Sequence, residues 1–540
     1  MYSIGLDFGS TAVRALIVDF DKCTELAGAS TDYPCGIRGV CQKEDDPLFA
    51  RQDPAAYLSA MTDSIIKALS LAKTIDPSFD VTRIAGIGVD ATSSTIIPVT
   101  QDMTPLAFLD SFKDDLDALS WMWKDHTGIA EAAEITSLAQ KQHPEYLSRC
   151  GGSYSSEWFW SKTLHALRTN RKLFRTAYAW VELCDFIPAQ LAGINNYAEL
   201  RCSAGAAGHK AMFSEDWGGL PAADFLSQLD PELAELAGRM YKKTYAGNQV
   251  AGRLSSAWAE KLGLPAGIPI ASGMIDAHSG AAGSGAVPGK MVCIIGTSTC
   301  DITVAKFKDK VPEIKGISGI AKDSVLPGYY GIEGGHAAVG DSFFWQAAVI
   351  GGKTDFRELE KEASQKSPSP DGLIAVDWLN GNRNPYANEK LRGIMTGMTL
   401  HTTLADMYRA WIEATAFGIR RVIDIMTETG FDTEEIICCG GIPEKSPLLM
   451  QIYADVLGKK LLLPASRETC ALGAALCGAA AGNAVNSIEE GQKKLCRFKE
   501  KCYYPDPANQ KVYDTLYAKY CKISQEFAIG SLAEIMNQNQ

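Results

Sequence analysis

Ser3-Ile-Gly-Leu-Asp-Phe-Gly-Ser-Thr11 is an apolar strand that runs into a turn of glycine, serine and threonine. A second stretch of the same kind, Met291-Val-Cys-Ile-Ile-Gly-Thr-Ser-Thr299, follows much later in the chain. Small residues let backbone N–H groups close on an anion, and the hydroxyl groups add further donors. An ordinary hairpin explains either turn alone, but two such turns in two similar halves predict a nucleotide bound in a cleft.

The length of 540 residues exceeds what one hydrophobic core supports, so we expect two large domains. The turn-rich segment Ala286-Val-Pro-Gly289 marks the boundary, which gives an N-terminal domain of residues 1–285 and a C-terminal domain of residues 286–540. Strands alternate with helices, and this alternation predicts an α/β fold. The region from about residue 116 to residue 264 is richer in helix and tryptophan, as suits a substrate domain.

Hydrophobic periodicity and capping residues predict the individual elements. One helix is clearly delimited by Ser446 as N-cap, Pro447 at the first helical position and Gly458 beyond the end. The predicted strands cover residues 4–6, 13–19, 84–89, 96–99 and 435–439, and the predicted helices cover residues 54–71, 447–457, 469–481 and a C-terminal tail within 506–540. The tail has an aromatic face that suits docking on its own domain or on a partner.

The formal net charge of −12, without clustered lysine and arginine, argues against a nucleic-acid partner. The longest small-apolar stretch, Cys470–Ala481, is short and interrupted by glycines, so it predicts a buried helix and no membrane partner. The chain enters a strand at once, without a secretory signal pattern, and its fifteen cysteines lack metal-ligand spacing. We therefore expect a cytoplasmic protein.

Two aspartates are candidates for chemistry. Asp7 lies directly before the first turn, where it suits a Mg²⁺ ion that bridges nucleotide phosphates, or stabilises the turn alone. Asp276 follows the small-residue strand Ile270-Ala-Ser-Gly-Met-Ile275, where a lone carboxylate suits a general base toward a hydroxyl group. His278 is expected to be structural. Because the chain has no Walker A motif, protein-kinase glycine-rich loop or G-x-S-x-G elbow, the commonest other phosphotransferases and hydrolases are excluded.

Five short segments form a set in order and spacing. They are Leu6-Asp-Phe-Gly-Ser-Thr11, Gly86-Ile-Gly-Val-Asp90, Gly273-Met-Ile-Asp-Ala-His278, Ile295-Gly-Thr-Ser-Thr299, and Gly440-Gly441 followed by Ser446, Gln451, Ala454-Asp455 and Leu457-Gly458. Over nearly its whole length the chain thereby resembles the FGGY carbohydrate kinases. This resemblance implies two actin-like, ribonuclease H-like domains with a central cleft, which close on ATP and a sugar or polyol.

Further segments resemble the ribulokinase branch of that family. They are Trp123-Lys-Asp-His-Thr127, Gly151-Gly-Ser-Tyr-Ser-Ser-Glu-Trp158, Ala207-Gly-His-Lys-Ala-Met212 and Tyr330-Gly-Ile-Glu-Gly-Gly-His-Ala-Ala-Val-Gly-Asp341. Many relatives that act on glycerol or xylulose carry an arginine beside the Trp-x-Asp segment. This chain has His126 and Thr127 there, which favours the ribulokinase branch.

The resemblance also implies roles for individual residues. Asp276 resembles the catalytic base that deprotonates the terminal hydroxyl of a ketose and contacts that substrate. The other implied substrate-binding residues are Thr92, Ser93, Lys210 and Glu333, and Asp7 is the implied Mg²⁺ ligand. The implied ATP-binding residues are Gly9, Ser10, Thr11, Gly296, Thr297, Thr299, Gly440, Gly441 and Lys445. Ser446 also flanks the expected adenosine site, but helix capping is its simpler interpretation, and Lys210 and Lys445 also fit ordinary surface lysines.

The implied function is ATP-dependent phosphorylation of L-ribulose to L-ribulose 5-phosphate, a step of arabinose catabolism. Alternatives within the same class are kinases for D-ribulose, ribitol or xylulose. An actin-like ATPase without a sugar substrate, or a sugar-sensing pseudokinase, are alternatives from other classes. The oligomeric state is open, and a homodimer is compatible with the sequence.

Overall fold

The computed structural model describes residues 1–307, 314–352 and 356–534. The strands are β1 (Tyr2–Phe8), β2 (Ala12–Asp19), β3 (Thr24–Asp32), β4 (Cys41–Lys43), β5 (Asp46–Gln52), β6 (Ile84–Ala91), β7 (Ile96–Val99), β8 (Ser120–Trp121), β9 (Ala179–Glu182), β10 (Cys202–Ser203), β11 (Thr244–Tyr245), β12 (Val250–Arg253), β13 (Pro269–Ala271), β14 (Met274–Ile275), β15 (Lys290–Ile295), β16 (Thr299–Lys306), β17 (Gly319–Lys322), β18 (Tyr329–Gly334), β19 (Ile374–Val376), β20 (Ile394–Thr396), β21 (Glu435–Cys439) and β22 (Lys460–Leu462).

The α-helices are α1 (Pro54–Ile75), α2 (Ile129–Gln142), α3 (Pro144–Leu147), α4 (Phe159–Thr169), α5 (Arg171–Thr176), α6 (Leu183–Ala192), α7 (Ala204–Lys210), α8 (Ala223–Leu229), α9 (Pro231–Arg239), α10 (Ser256–Leu262), α11 (Asp276–Gly283), α12 (Gly340–Trp345), α13 (Phe356–Ser364), α14 (Leu404–Glu428), α15 (Gly441–Lys445), α16 (Pro447–Leu457), α17 (Thr469–Ala481), α18 (Ile488–Leu495) and α19 (Pro507–Ala528). Across the described ranges, no helix is both long and apolar enough to cross a membrane.

Two mixed sheets, in each of which five strands have the same order and directions, organise the fold. In the first sheet, β1 pairs antiparallel with β2 and parallel with β6, in the order β12-β13-β6-β1-β2-β3, and β14 also pairs with β6. In the second sheet, β15 pairs antiparallel with β16 and parallel with β21, in the order β17-β18-β16-β15-β21-β22. Each turn singled out in the sequence joins the first two strands of one sheet. The duplicated α/β architecture is thus confirmed.

Strand β1 is buried on both faces, which explains why large and small residues alternate along it. Ile4, Leu6 and Phe8 belong to the core beneath α1. Ser3 and Gly5 face the opposite side, where α17 lies, and the hydroxyl of Ser3 donates a hydrogen bond to a carbonyl of that helix at 2.8 Å. Strand β6 follows the same rule, with its glycines toward α17.

Helix α17 lies so close to the first sheet that several positions beneath it require glycine. A Cβ atom on Gly88 would lie 1.8 Å from the carbonyl oxygen of Ala474, and a Cβ on Gly5 would lie equally close to another carbonyl of the helix. On its other side α17 meets α11, where a Cβ on Gly283 would lie 2.0 Å from the carbonyl oxygen of Thr469. Because α17 belongs to the second half of the sequence, this glycine-alanine contact joins the two halves.

The helix-rich region of the first half packs around the sheet β4-β5-β8-β7-β9. Trp121, Trp160 and Trp180 are almost completely buried in its core. These three tryptophans are therefore packing residues, which is the commoner role of a buried indole.

The C-terminal helix α19 docks on the second half of its own chain. The hydroxyl of Tyr517 donates to Asp424 Oδ2 at 2.5 Å, and that of Tyr520 donates to Asp377 Oδ1 at 3.3 Å. Of the two placements that the sequence left open, the structure has the tail on its own domain. Residues 535–540 of the predicted tail lie outside the described residues.

The predicted elements agree with the structure except at their ends. Helix α1 continues to Ile75, beyond the predicted residue 71. Strand β6 continues through Ala91, beyond the predicted residue 89, because Asp90 pairs in register with Asp7 of β1 and is not in a loop. Asp276 follows strand β14 and is also the first residue of α11, so the glycine-rich stretch after it is helical.

Replacement of Gly88 by alanine tests the close contact between α17 and the first sheet. We expect Gly88→Ala to lower the free energy of unfolding by about 1–3 kcal/mol or more, because the added methyl group meets backbone that has no room to move. The matched control is Gly28→Ala on strand β3, where a Cβ would make only ordinary contacts at 3.6 Å or more. Thermal unfolding followed by circular dichroism measures both, and equal melting temperatures would contradict the contact.

Candidate functional site

Three aspartates meet where the strands of the first sheet end. Asp7 on β1 and Asp90 on β6 are neighbours in register, and β14 pairs with β6 directly before Asp276. Asp7 and Asp90 continue the row of small residues that faces α17, so they lie at the N-terminal end of that helix, beside Cys470. Because a helix N-terminus carries partial positive charge, it favours carboxylates at this position.

Burial and mutual repulsion set the protonation of these acids. Burial, with a further contribution from Asp7, raises the pKa of Asp276 to about 6. Burial and the charges of Asp7 and Asp276 raise the pKa of Asp90 well above its ordinary value, and neither oxygen of its carboxylate makes a well-formed hydrogen bond. Arg14 Nη1 donates to Asp7 Oδ2 at 2.9 Å. One arginine against three acids leaves a local excess of acidic groups, which suits a bound cation.

Lys210 and Glu333 extend the cluster toward the second half. Burial raises the pKa of Glu333, but Lys210 and the imidazoles of His278 and His209 outweigh it and hold this pKa well below its ordinary value. Lys210 Nζ lies 5.5 Å from the centre of the Trp158 ring. An ionised carboxylate beside an ammonium group offers both hydrogen-bond acceptors and donors, as a sugar hydroxyl requires.

The loop that contains Thr92 and Ser93 is hydrogen-bonded to a buried carboxylate that was not predicted from the sequence. Glu182, at the end of β9, accepts hydrogen bonds from the hydroxyls of Ser93 at 3.0 Å and Ser94 at 2.5 Å, and from the backbone N–H of Thr95 at 3.1 Å. The Thr92 hydroxyl is bonded to that of Thr95 at 3.0 Å. The hydroxyls of Thr92 and Ser93, both predicted to bind substrate, therefore already make hydrogen bonds within the protein.

Lys162 completes this support from helix α4. Its ammonium group donates to the backbone carbonyls of Ser94 and Met122, each at 2.6 Å. Burial lowers the pKa of Lys162 to about 8, although Asp125 and Glu182 act in the opposite direction. The loop is thus fixed by one buried cation and one buried acid.

The first turn is braced by its neighbours. The backbone N–H of Gly9 donates to Ala12 O at 3.1 Å, and the indole N–H of Trp123 donates to the Ser10 hydroxyl at 2.9 Å. Gln52 donates to the carbonyl of Ser10 at 2.9 Å, while Thr11 is exposed. The turn has hairpin geometry, as its simpler interpretation predicted, and lies directly after Asp7.

The second turn is held by the segment that leads into α12. The backbone N–H of Gly340 donates to Gly296 O at 3.0 Å, and that of Val339 donates to Thr297 O at 2.8 Å. Thr299 Oγ1 accepts from the backbone N–H of His336 at 2.9 Å. Gly296, Thr297 and Thr299, the residues predicted to bind phosphate in this turn, are therefore each held by a hydrogen bond to that segment.

The Gly440-Gly441 corner lies against this second turn. Gly440 has φ of 105° and a Cβ there would lie 2.3 Å from the carbonyl oxygen of Ile295, so glycine is required. Lys445 is exposed at the end of α15. Ser446 caps α16 by accepting from Leu449 N at 3.2 Å, which confirms the capping interpretation.

The structure thus brings Asp7, Asp276, Lys210 and Glu333 into one cluster and sets the second turn beside Gly440. It adds Asp90, which lies near the end of an apolar strand as Asp7 does, and this shared position is a signal present in the sequence. Glu182 and Lys162 lack such a signal, because their partners are remote in sequence.

The comparisons with known proteins agree with this arrangement. The model for the N-terminal domain of the FGGY family of carbohydrate kinases matches residues 2–283, and that for the C-terminal domain of the same family matches residues 291–482. The chain therefore belongs to the FGGY family of carbohydrate kinases.

Curated relatives narrow the comparison within this family. A ribulokinase of Vibrio parahaemolyticus serotype O3:K6 (strain RIMD 2210633) is 37% identical over 97% of this chain and 95% of its own length. A ribulokinase of Shouchella clausii (strain KSM-K16) is 35% identical over 98% of this chain and 96% of its own length.

Solved structures support the fold. The xyloylose kinase from Brucella ovis superposes with a TM-score of 0.81 at 20% identity, over 97% of this chain and 98% of that one. The xylulose kinase from Rhodospirillum rubrum gives 0.78 at 21% identity, over 99% and 100%. The two-domain actin-like fold implied by the resemblance is confirmed.

Replacement of Glu182 tests its hold on the loop at residues 92–95. We expect Glu182→Ala to speed amide hydrogen exchange of this loop about ten- to a hundredfold, because buried donors left without a partner cost about 1–3 kcal/mol. The control is Glu199→Ala, which removes an exposed glutamate of the same half. Exchange measured by mass spectrometry reads both variants, and an unchanged loop in Glu182→Ala would show that the carboxylate is dispensable.

Proposed function

We propose that this carbohydrate kinase transfers the γ-phosphoryl group of ATP to the terminal hydroxyl of L-ribulose and forms L-ribulose 5-phosphate. The observation that carries the proposal is the cluster of Asp276, Lys210 and Glu333 at the meeting point of the two halves. The curated relatives named ribulokinase support the choice of substrate. ATP as the phosphoryl donor follows from the kinase family. We also propose that the enzyme is cytoplasmic.

In this proposal Asp276 is the general base. Its carboxylate takes the proton of the terminal hydroxyl, the hydroxyl oxygen forms a bond to the γ-phosphorus, and the bond from that phosphorus to the bridging oxygen of ADP breaks. A pKa of about 6 leaves Asp276 mostly ionised at neutral pH and makes it a stronger base than an ordinary aspartate. Lys210 and Glu333 bind hydroxyl and carbonyl oxygens of the sugar, and the loop at Thr92 and Ser93 lies beneath it.

The residues present fit a Mg²⁺ ion. Hard divalent cations take carboxylate oxygens and water, and both carboxylate oxygens of Asp90, the neighbour of Asp7 in register, are buried without a hydrogen-bond partner. We propose that Asp7 holds the ion, with Asp90 beside it, and that bound Mg²⁺ neutralises negative charge on the phosphates. The turn at Gly9, Ser10 and Thr11 binds the phosphates from one side.

The second half supplies the rest of the nucleotide site in this proposal. Gly296, Thr297 and Thr299 bind phosphates, and Gly440, Gly441 and Lys445 flank the adenosine. The support for this assignment is the contact of Gly440 with the second turn, which leaves no side chain between the two segments. Backbone N–H groups near such a turn are suited to an anion.

The substrate is tested by ADP release with Mg-ATP against L-ribulose, D-ribulose, both xyluloses, ribitol and glycerol. We expect a clear preference for L-ribulose, with turnover that depends on the sugar. Preference for xylulose or ribitol would replace the proposed substrate, while ATP hydrolysis unaffected by every sugar would overturn sugar phosphorylation.

Removal of the proposed base gives a second test. Asp276→Asn is expected to lower kcat about 10²–10⁴-fold, because the amide cannot accept the hydroxyl proton. Nucleotide affinity, measured by calorimetry, should stay near the wild-type value, since Asp276 is assigned to the sugar. Near-normal kcat would remove Asp276 from the role of base.

Glu333 is tested by comparing two Michaelis constants. We expect Glu333→Gln to raise the KM for the sugar about tenfold or more and to change the KM for ATP little, because only the sugar loses a charged hydrogen-bond partner. Equal effects on both constants would place Glu333 outside the sugar site.

A further inference from the structure

We propose that His278 is a positioning residue that holds Glu333 ionised and in one orientation for the sugar, and that His209 holds His278 in place. The inference deepens the proposed function and rests on it for the identity of the sugar. The sequence pattern predicts only a structural role for His278 and none for His209.

The geometry of the three side chains carries the inference. His278 Nε2 lies 3.1 Å from Glu333 Oε2, and His209 Nδ1 lies 3.9 Å from the same oxygen. The two imidazole rings meet edge to face, with centroids 4.6 Å apart at 62°. His278 is 0% exposed, His209 2% and Glu333 8%, so all three side chains are buried and Glu333 is the most exposed of them.

Hydrogen-bond chemistry assigns the protons. An ionised carboxylate can only accept hydrogen bonds, so this contact requires that His278 Nε2 carries a proton and donates a hydrogen bond to Glu333 Oε2. Ser324 Oγ donates to the carbonyl of Ala321 at 3.2 Å, so it accepts from His209 Nε2 at 3.3 Å. Ser324 therefore fixes the His209 ring with its Nε2 protonated.

Burial then keeps His209 neutral. Burial and the neighbouring His278 lower the pKa of His209 well below its ordinary value. A neutral ring with its proton on Nε2 presents an unprotonated Nδ1 toward Glu333, so it cannot donate to that carboxylate. His278 is thus the donor among the two histidines, and the edge-to-face contact with His209 limits the rotation of its ring.

Other charged or titratable groups also surround Glu333. They are Lys210 on α7, Asp276 on α11, Cys300 on β16 and Arg383 in the loop after β19. Lys210 stabilises the carboxylate through its charge, whereas His278 supplies a directed hydrogen bond at 3.1 Å. Loss of His278 therefore removes orientation as well as part of the stabilisation of the ionised form.

The contact between the two histidines and Glu333 also joins the two halves of the chain at the proposed sugar site. His209 and His278 belong to α7 and α11 of the first half, and Glu333 belongs to β18 of the second sheet. Glu333 can bind the sugar in its assigned orientation only while the second sheet stays against the histidine pair.

The test compares His278→Leu, which removes the donor, with His278→Gln, whose amide N–H replaces Nε2. The control is His401→Leu in an exposed loop. Sugar dissociation constants are measured by calorimetry without ATP, between about pH 8 and pH 5.5, and KM values for sugar and ATP are measured beside them. Melting temperatures show that each variant is folded.

We expect His278→Leu to weaken sugar binding about ten- to a hundredfold, with little change in the KM for ATP and with a steeper loss toward low pH than in the wild type. The sign follows from Glu333, whose carboxylate becomes protonated at a higher pH once the donor is gone. His278→Gln should restore most of the affinity. Equal sugar affinity and equal pH dependence in His278→Leu and wild type would overturn the inference.

A sugar-free measurement separates this inference from the proposed function. In protein labelled with ¹³C at the glutamate carboxyl, the Glu333 signal is assigned through Glu333→Gln and titrated with acid. A higher titration midpoint in His278→Leu than in wild type supports the inference even if no ketopentose is phosphorylated, and an unchanged midpoint overturns it. Failure of every sugar in the ADP-release assay overturns the proposed function alone.

Discussion

The contact between α17 and the glycine-lined face of the first sheet determines how the two halves are joined. Carbonyl oxygens of the helix lie where Gly5 and Gly88 would carry a Cβ, and Gly283 of α11 meets the helix in the same way. Such close packing leaves no adjustable side chain between the elements. The N-terminal end of α17 is thereby fixed beside Asp7, Asp90 and Asp276, so one packing constraint sets both the junction of the halves and the position of the acids.

Strands β1 and β6 carry both the packing contact with α17 and two of the candidate acids. On β1 and β6, small residues permit the approach of α17, and the next residue on the same face is an aspartate. The large residues of the opposite face build the core under α1. A sequence that alternates in this way encodes a buried strand and places a candidate functional carboxylate at its end.

Several elements of the fold and of the candidate site were predictable from the sequence, because the residues that specify them are close together in the chain. The hairpin turns, the capped helix after Ser446 and the position of Asp276 follow from a few neighbouring residues. The role of Glu182 did not follow, because its partners in the loop at residues 92–95 lie almost ninety positions away and the chain carries many similar glutamates. Likewise, the contact of His278 with Glu333 did not follow from the sequence, because Glu333 lies on the second sheet and only the fold brings it to the imidazole ring.

The acids beneath α17 also affect how binding should be measured. Burial and mutual repulsion raise the pKa values of Asp276 and Asp90, so the cluster holds its protons to a higher pH than ordinary aspartates do. A cation that enters the cluster favours the ionised forms and releases protons to the solution. The heat recorded on binding then includes protonation of the buffer, and its slope across buffers of different ionisation enthalpy counts the protons that the cluster gives up.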